Sequence, residues 1–126
     1  MFLVAAWHNF IGGALFTFFG NWVYSREGLS PPDPGIHYKT WIVLVFLFGL
    51  MYYIIYHDMY SNRNLVVIGI LGKFVSAVPM AYALLFAPEL TPVLFVVPIV
   101  TDVSFGGLFL LFYLHAQGSK RWKHAG

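Results

Sequence analysis

Residues 64–87 read NLVVIGILGKFVSAVPMAYALLFA. Lys73 is the single charge in this run of about 24 residues, and at about 1.5 Å rise per residue an α-helix of it covers a hydrocarbon core about 30 Å thick. Buried strands are much shorter, so length separates helix from strand where periodicity cannot. Backbone groups in lipid must also find partners within their own segment, which a helix provides. The run is therefore expected to be a membrane-spanning helix with a lysine near its middle.

Working outward, three more stretches of the same kind appear, at about residues 2–24, 38–57 and 92–116. The expected fold is all-α, a polytopic membrane protein with four transmembrane helices at about 2–24, 38–57, 64–87 and 92–116, forming one domain over residues 1–126. Composition agrees: of 126 residues 60% are hydrophobic and 10% charged, against roughly a quarter charged in soluble domains. A soluble domain this small could not bury that much apolar surface. The first stretch lacks a basic region before it and a small-residue cleavage site after it, so it reads as a retained helix closed by Trp22 and Tyr24 rather than a signal peptide.

The links between the stretches set the topology. Ser30-Pro31-Pro32-Asp33-Pro34-Gly35 breaks any helix, Asp58 to Arg63 is a short polar turn, and Pro88 to Pro92 is a tight one. Short links favour antiparallel neighbours, hence an up-down-up-down bundle. Pro79 and Pro98 are expected to kink the third and fourth helices. Arg63, Lys120, Arg121 and Lys123 fall on one side, and Arg26 and Lys39 on the other. Positive charge concentrates on cytoplasmic faces, which puts both termini in the cytoplasm of a cell (inner) membrane.

Several functions are excluded by residue type. Without cysteine there is no disulfide, thiolate metal site or cysteine nucleophile. A net charge of +2 is too small and dispersed for nucleic acid, and the basic tail beside His124 suits anionic lipid. Gly69-Ile70-Leu71-Gly72-Lys73 lacks the spacing of a phosphate loop, and no metalloprotease or nucleophile–base pattern occurs.

Two constellations remain. Lys73 lies about nine residues into the third stretch from one side, and Asp102 about ten into the fourth from the other, both roughly 14–15 Å deep. A lone charge at that depth costs a few kcal/mol, and each is the other's only partner at matching depth, which predicts a buried pair. Gly69, Gly72, Ser76 and Met80 share the face of Lys73, while Pro98, Phe105, Gly106 and Phe109 share that of Asp102. On the first helix Ala5, Asn9, Gly12, Gly13, Phe16 and Gly20 form a stripe with His8 beside it. A polar centre of Asn9, Lys73, Ser76, Thr101 and Asp102 is the expectation, either as a pin for helix register or as a site for a proton, an ion or a polar ligand. The second constellation is His8, His57 and His115 on one side, a set able to hold haem or relay protons. Tyr52, Tyr53, Tyr56 and Tyr60 read as interfacial anchors and packing, with a quinone or lipid tail as the alternative tenant.

The segment Asp58-Met-Tyr-Ser-Asn-Arg-Asn-Leu-Val-Val-Ile-Gly-Ile-Leu-Gly-Lys73 resembles the second turn and third helix of small bacterial DoxX-like four-helix membrane proteins. These often place an acidic residue and an arginine in the turn and Gly-x-x-Gly-Lys in the helix; many carry proline where this chain has Met59. The resemblance points to Asp58, Arg63, Gly69, Gly72 and Lys73, and implies kinship with proteins some of which are subunits of quinone-linked oxidoreductases. The functional expectation is a non-catalytic subunit or accessory protein in the lipid bilayer, within a homo-oligomer or larger membrane complex. A proton- or ion-coupled transporter using Lys73 and Asp102, and a haem- or quinone-binding electron carrier, are the alternatives.

Overall fold

The computed structural model describes residues 1–32 and 35–118. The basic tail Lys120, Arg121, Lys123 and His124, and Asp33-Pro34 of the first link, lie outside the described residues. Four α-helices run in order, α1 (Phe2–Arg26), α2 (Gly35–His57), α3 (Arg63–Phe86) and α4 (Val96–Gln117), and two single 3₁₀ turns, Pro88–Leu90 and Val93–Phe95, join α3 to α4. The four helices are each long and apolar enough to cross a membrane. The described residues form an all-α, four-helix transmembrane bundle in which each helix runs against the one before it.

Local chemistry explains where the helices stop. At the end of α1, Gly28 takes φ +71°, a left-handed conformation that suits glycine. The Leu29 N–H then donates to the Tyr24 carbonyl at 2.9 Å and the Gly28 N–H to that of Ser25 at 3.1 Å, closing a Schellman cap. Between α2 and α3, Asp58 Oδ1 accepts from the Ser61 N–H at 3.1 Å, and Asn62 Nδ2 donates to the Asp58 carbonyl at 2.7 Å. These bonds shape the tight polar turn.

Pro98 sits in the first turn of α4, because the helix begins at Val96 and not at Pro92 as the sequence suggests. The missing N–H there would have had no helical partner, so Pro98 removes nothing. Pro79 is inside α3 and does deprive the Val75 carbonyl of its donor four residues on.

The bundle is two hairpins. Helices α1 and α2 lie close along their length, as do α3 and α4, while α2 and α3 approach less closely and α1 meets α4 mainly through side chains. Glycines permit the close approaches. The Tyr38 hydroxyl reaches past Gly20 to donate to the Phe16 carbonyl at 2.9 Å, and the Phe48 ring occupies the space a side chain on Gly72 would need. In lipid, which is as apolar as the core, such packing is the main source of helix association.

Between the hairpins the two ends differ. At the end holding the N-terminus, Phe2, Tyr52, Ile55, Val66 and Phe109 are almost wholly buried. The Phe2 and Phe109 rings stack at 4.5 Å, and Tyr52 meets Phe109 at 5.3 Å. Toward the end holding the α1–α2 link, Phe16, Trp41 and Phe95 meet with ring centroids 5.2 to 6.2 Å apart. A cavity of about 560 Å³ lies between this roof and the middle of the bundle.

Candidate functional site

The polar residues of the bundle interior gather on the floor of that cavity. Lys73 comes from the middle of α3 and Asp102 from the second turn of α4, each facing inward along the glycine-bearing side of its helix. Lys73 Nζ donates to Asp102 Oδ1 at 2.6 Å and to Asn9 Oδ1 at 3.0 Å. Ser76 Oγ donates to Asp102 Oδ2 at 2.7 Å, so each carboxylate oxygen has a donor. Asn9 is fixed in turn by its amide nitrogen, which donates to the Val45 carbonyl of α2 at 3.1 Å. The ammonium also lies 5.2 Å from the Tyr52 ring centre and 5.6 Å from that of Phe105, within cation–π range. Lys73, Asp102 and Asn9 are all buried. Among the described residues every buried side-chain nitrogen and oxygen has a hydrogen-bond partner. A charge pair in an apolar setting is tolerable only when its remaining valences are met in this way.

Thr101 is not part of this group. It faces a quarter-turn away from Asp102 on α4, where Thr101 Oγ1 lies 3.1 Å from His8 Nε2 and 2.9 Å from the Val97 carbonyl. His8 and Thr101 thus form a second small polar contact that links α1 to α4 at the same level. The expected five-residue centre resolves into Asn9, Lys73, Ser76 and Asp102, with Thr101 turned to His8.

The histidines are not brought together. His8 borders the cavity, half-buried beside Phe105. His57 is exposed at the end of α2, its ring against Tyr53 at 4.7 Å and Tyr56 at 5.4 Å, and His115 is exposed in the last turn of α4. No group of three or more His, Asp or Glu able to hold a metal occurs among the described residues. Bis-histidine haem needs two opposed imidazoles, and His8 has no opposing histidine at the cavity. Asp58 lies in the polar turn and Arg63 begins α3, both away from the floor along the chain, and Asp58 serves the turn through its bonds to Ser61 and Asn62.

The cavity itself escapes sequence reasoning. Its walls are apolar: Phe16, Trp41, Leu44, Phe48, Val75, Met80, Leu94 and Val97 among others. Ile11, Leu15 and Val97 on the α1/α4 seam, and Leu44 and Val75 on the α2/α3 seam, are also exposed on the outer surface. The cavity therefore opens sideways, toward what would be acyl chains. Gly12 borders it with open space where a side chain would begin. Tyr52 was legible only as one of an aromatic run; in the fold it is a core residue whose hydroxyl donates to the Gly69 carbonyl at 3.4 Å. Glu27, which carries no signal in the sequence, accepts from the Val93 N–H at 2.7 Å and ties the end of α1 to the 3₁₀ turn before α4.

Comparison with protein-family models, with curated proteins and with solved structures finds no significant match.

Proposed function

We propose that this chain is a non-catalytic protein of a bacterial cell membrane, both termini cytoplasmic, that holds a small lipid-soluble molecule between its hairpins as an accessory subunit of an oligomer or larger complex. The observation that carries this reading is the side-opening cavity of about 560 Å³ with apolar walls and one polar floor. Ligand sites commonly have this volume and this division between an apolar lining and a few fixed polar groups. An apolar tail gains contacts along Phe16, Trp41, Leu44 and Phe48, and a polar head finds Asn9, Ser76, Asp102 and His8. The aromatic packing above and below the floor favours entry from lipid over the alternating water access that an ion-coupled carrier requires. The likeness of residues 58–73 to DoxX-like proteins, some of them subunits, supports an accessory role.

Trp41 borders the cavity, whereas Trp7 is 58% exposed on the outer face of α1. Two single-tryptophan proteins in vesicles, one keeping Trp41 and one keeping Trp7, are titrated with ω-bromoundecanol, whose bromine quenches indole on contact. Saturable quenching of Trp41 with unsaturable quenching of Trp7 is expected. Parallel, unsaturable curves for both would overturn the reading.

A further inference from the structure

The hydrogen-bond inventory of the floor restricts the head group of the occupant. On the donor side, Lys73 spends two of its three hydrogens on Asn9 and Asp102, and its ammonium lies against the Tyr52 and Phe105 rings. The one hydrogen of Ser76 goes to Asp102. Asn9 keeps one amide hydrogen beyond the one given to Val45.

The acceptor side holds more in reserve. The Thr101 hydroxyl has one hydrogen and lies nearest the Val97 carbonyl, at 2.9 Å, so the network assigns the shared hydrogen of the 3.1 Å contact to His8 Nε2. In the neutral ring Nδ1 is then an acceptor. Among the described residues it has no hydrogen-bond partner and every buried polar side-chain atom has one, so Nδ1 lies on an accessible surface of a residue that borders the cavity. Pro79 leaves the Val75 carbonyl without its helical donor, and Val75 also borders the cavity. The Asp102 carboxylate has lone pairs beyond the two already engaged.

A floor with several spare acceptors against two spare hydrogens, one on the Asn9 amide and one on the ammonium flanked by aromatic rings, suits a head group that donates as well as accepts. Charge narrows the choice further. A charged head, carboxylate or ammonium, would lose its hydration beside an ion pair that already neutralises itself, with no net countercharge to offset the cost. An ether or ester offers no donor.

We infer that the cavity binds a neutral long-chain alcohol, its hydroxyl donating to His8 Nδ1 and accepting from the Asn9 amide, its chain lying along the apolar walls. This inference rests on the proposed lipid-soluble ligand and specifies its head.

The test uses the full-length protein keeping only Trp41, in neutral-lipid vesicles, with ω-bromoundecanol, its methyl ether and ω-bromoundecanoic acid at equal concentrations in the bilayer. The alcohol is expected to half-saturate quenching at about tenfold lower concentration than either analogue, the worth of one retained hydrogen bond in an apolar site. In a His8→Phe protein, which keeps a ring against Phe105 and leaves the ion pair intact, the alcohol is expected to fall to the level of the ether while the ether itself is unchanged. Equal saturable quenching by all three probes would overturn the alcohol head and leave the cavity reading standing. An undiminished preference for the alcohol in His8→Phe would overturn the assignment to His8. Absence of saturable quenching by any probe would remove the cavity reading and this inference together.

Discussion

At one end of this bundle Phe2, Tyr52 and Phe109 close the space between the hairpins; at the other Phe16, Trp41 and Phe95 roof over a hollow. Both ends use aromatic rings on the same four helices. They differ in what lies beneath the rings. At the filled end Ala5 and Ala6 let the hairpins close until Phe2 and Phe109 stack. At the hollow end Gly12 faces open space, with no large side chain reaching across to fill it. The boundary between the two is the level of Lys73 and Asp102, where a charge pair holds α3 to α4 and Asn9 reaches it from α1. A lipid environment offers little hydrophobic gain for filling such a void, so the hollow costs packing contacts and little else. The filled end reads as the scaffold, and the hollow end as the place where something else packs.

The boundary gives the largest expected effect. Lys73→Met or Asp102→Leu alone leaves a buried charge unpaired and is expected to destabilise the bundle by about 3–5 kcal/mol, while the double substitution recovers most of the loss. Thermal unfolding in detergent, followed by circular dichroism, checks this; a double variant as unstable as the sum of the singles would show that the two do not act as a pair.

The contrast between the ends comes next. Phe109→Ala should cost about 2 kcal/mol through lost packing, since the transfer term largely cancels in lipid. Leu15→Ala at the cavity rim, where 39% of Leu15 is exposed, should stay within about 0.5 kcal/mol. Equal costs in the same unfolding assay would erase the distinction between a filled and a hollow end.

The smallest effect belongs to the polar turn, outside the membrane. The Ser61 hydroxyl and N–H hold the Asp58 carboxyl below its ordinary range. A carboxylate with a depressed folded pKa stabilises above its unfolded value and loses that contribution as pH falls through the folded one. The wild type should therefore unfold at slightly higher temperature than Asp58→Ala at neutral pH, and the difference should shrink as the pH falls below the ordinary carboxylate range and through the depressed value of the folded state. A difference independent of pH would mean that the carboxylate charge plays no part in the turn.

Much of the frame was readable from the sequence because a bilayer imposes it. Length and apolar composition require helices, and the depths of Lys73 and Asp102, each counted from its own end, place them at one level. Depth, however, gives the height along the bundle and not the direction around each helix. Thr101 shares the level of Asp102 but points to His8, and His57 and His115 are exposed at helix ends away from the cavity that His8 borders. Pro98 was misplaced for another reason: the sequence does not announce that the residues after Pro92 form a 3₁₀ turn before α4 begins. The cavity could not be foreseen, because a void is a property of how side chains from four helices fail to meet.

The central claim is that the hollow half is a binding space, and Gly12 offers the most direct test. The first carbon of a side chain there meets no neighbour within 4 Å, and Gly12 lines the cavity, so Gly12→Leu adds bulk at the cavity wall. In the protein keeping only Trp41, titrated in vesicles with ω-bromoundecanol, this substitution is expected to abolish saturable quenching while thermal stability is retained. Saturation at the same probe concentration with and without Gly12→Leu would contradict the account.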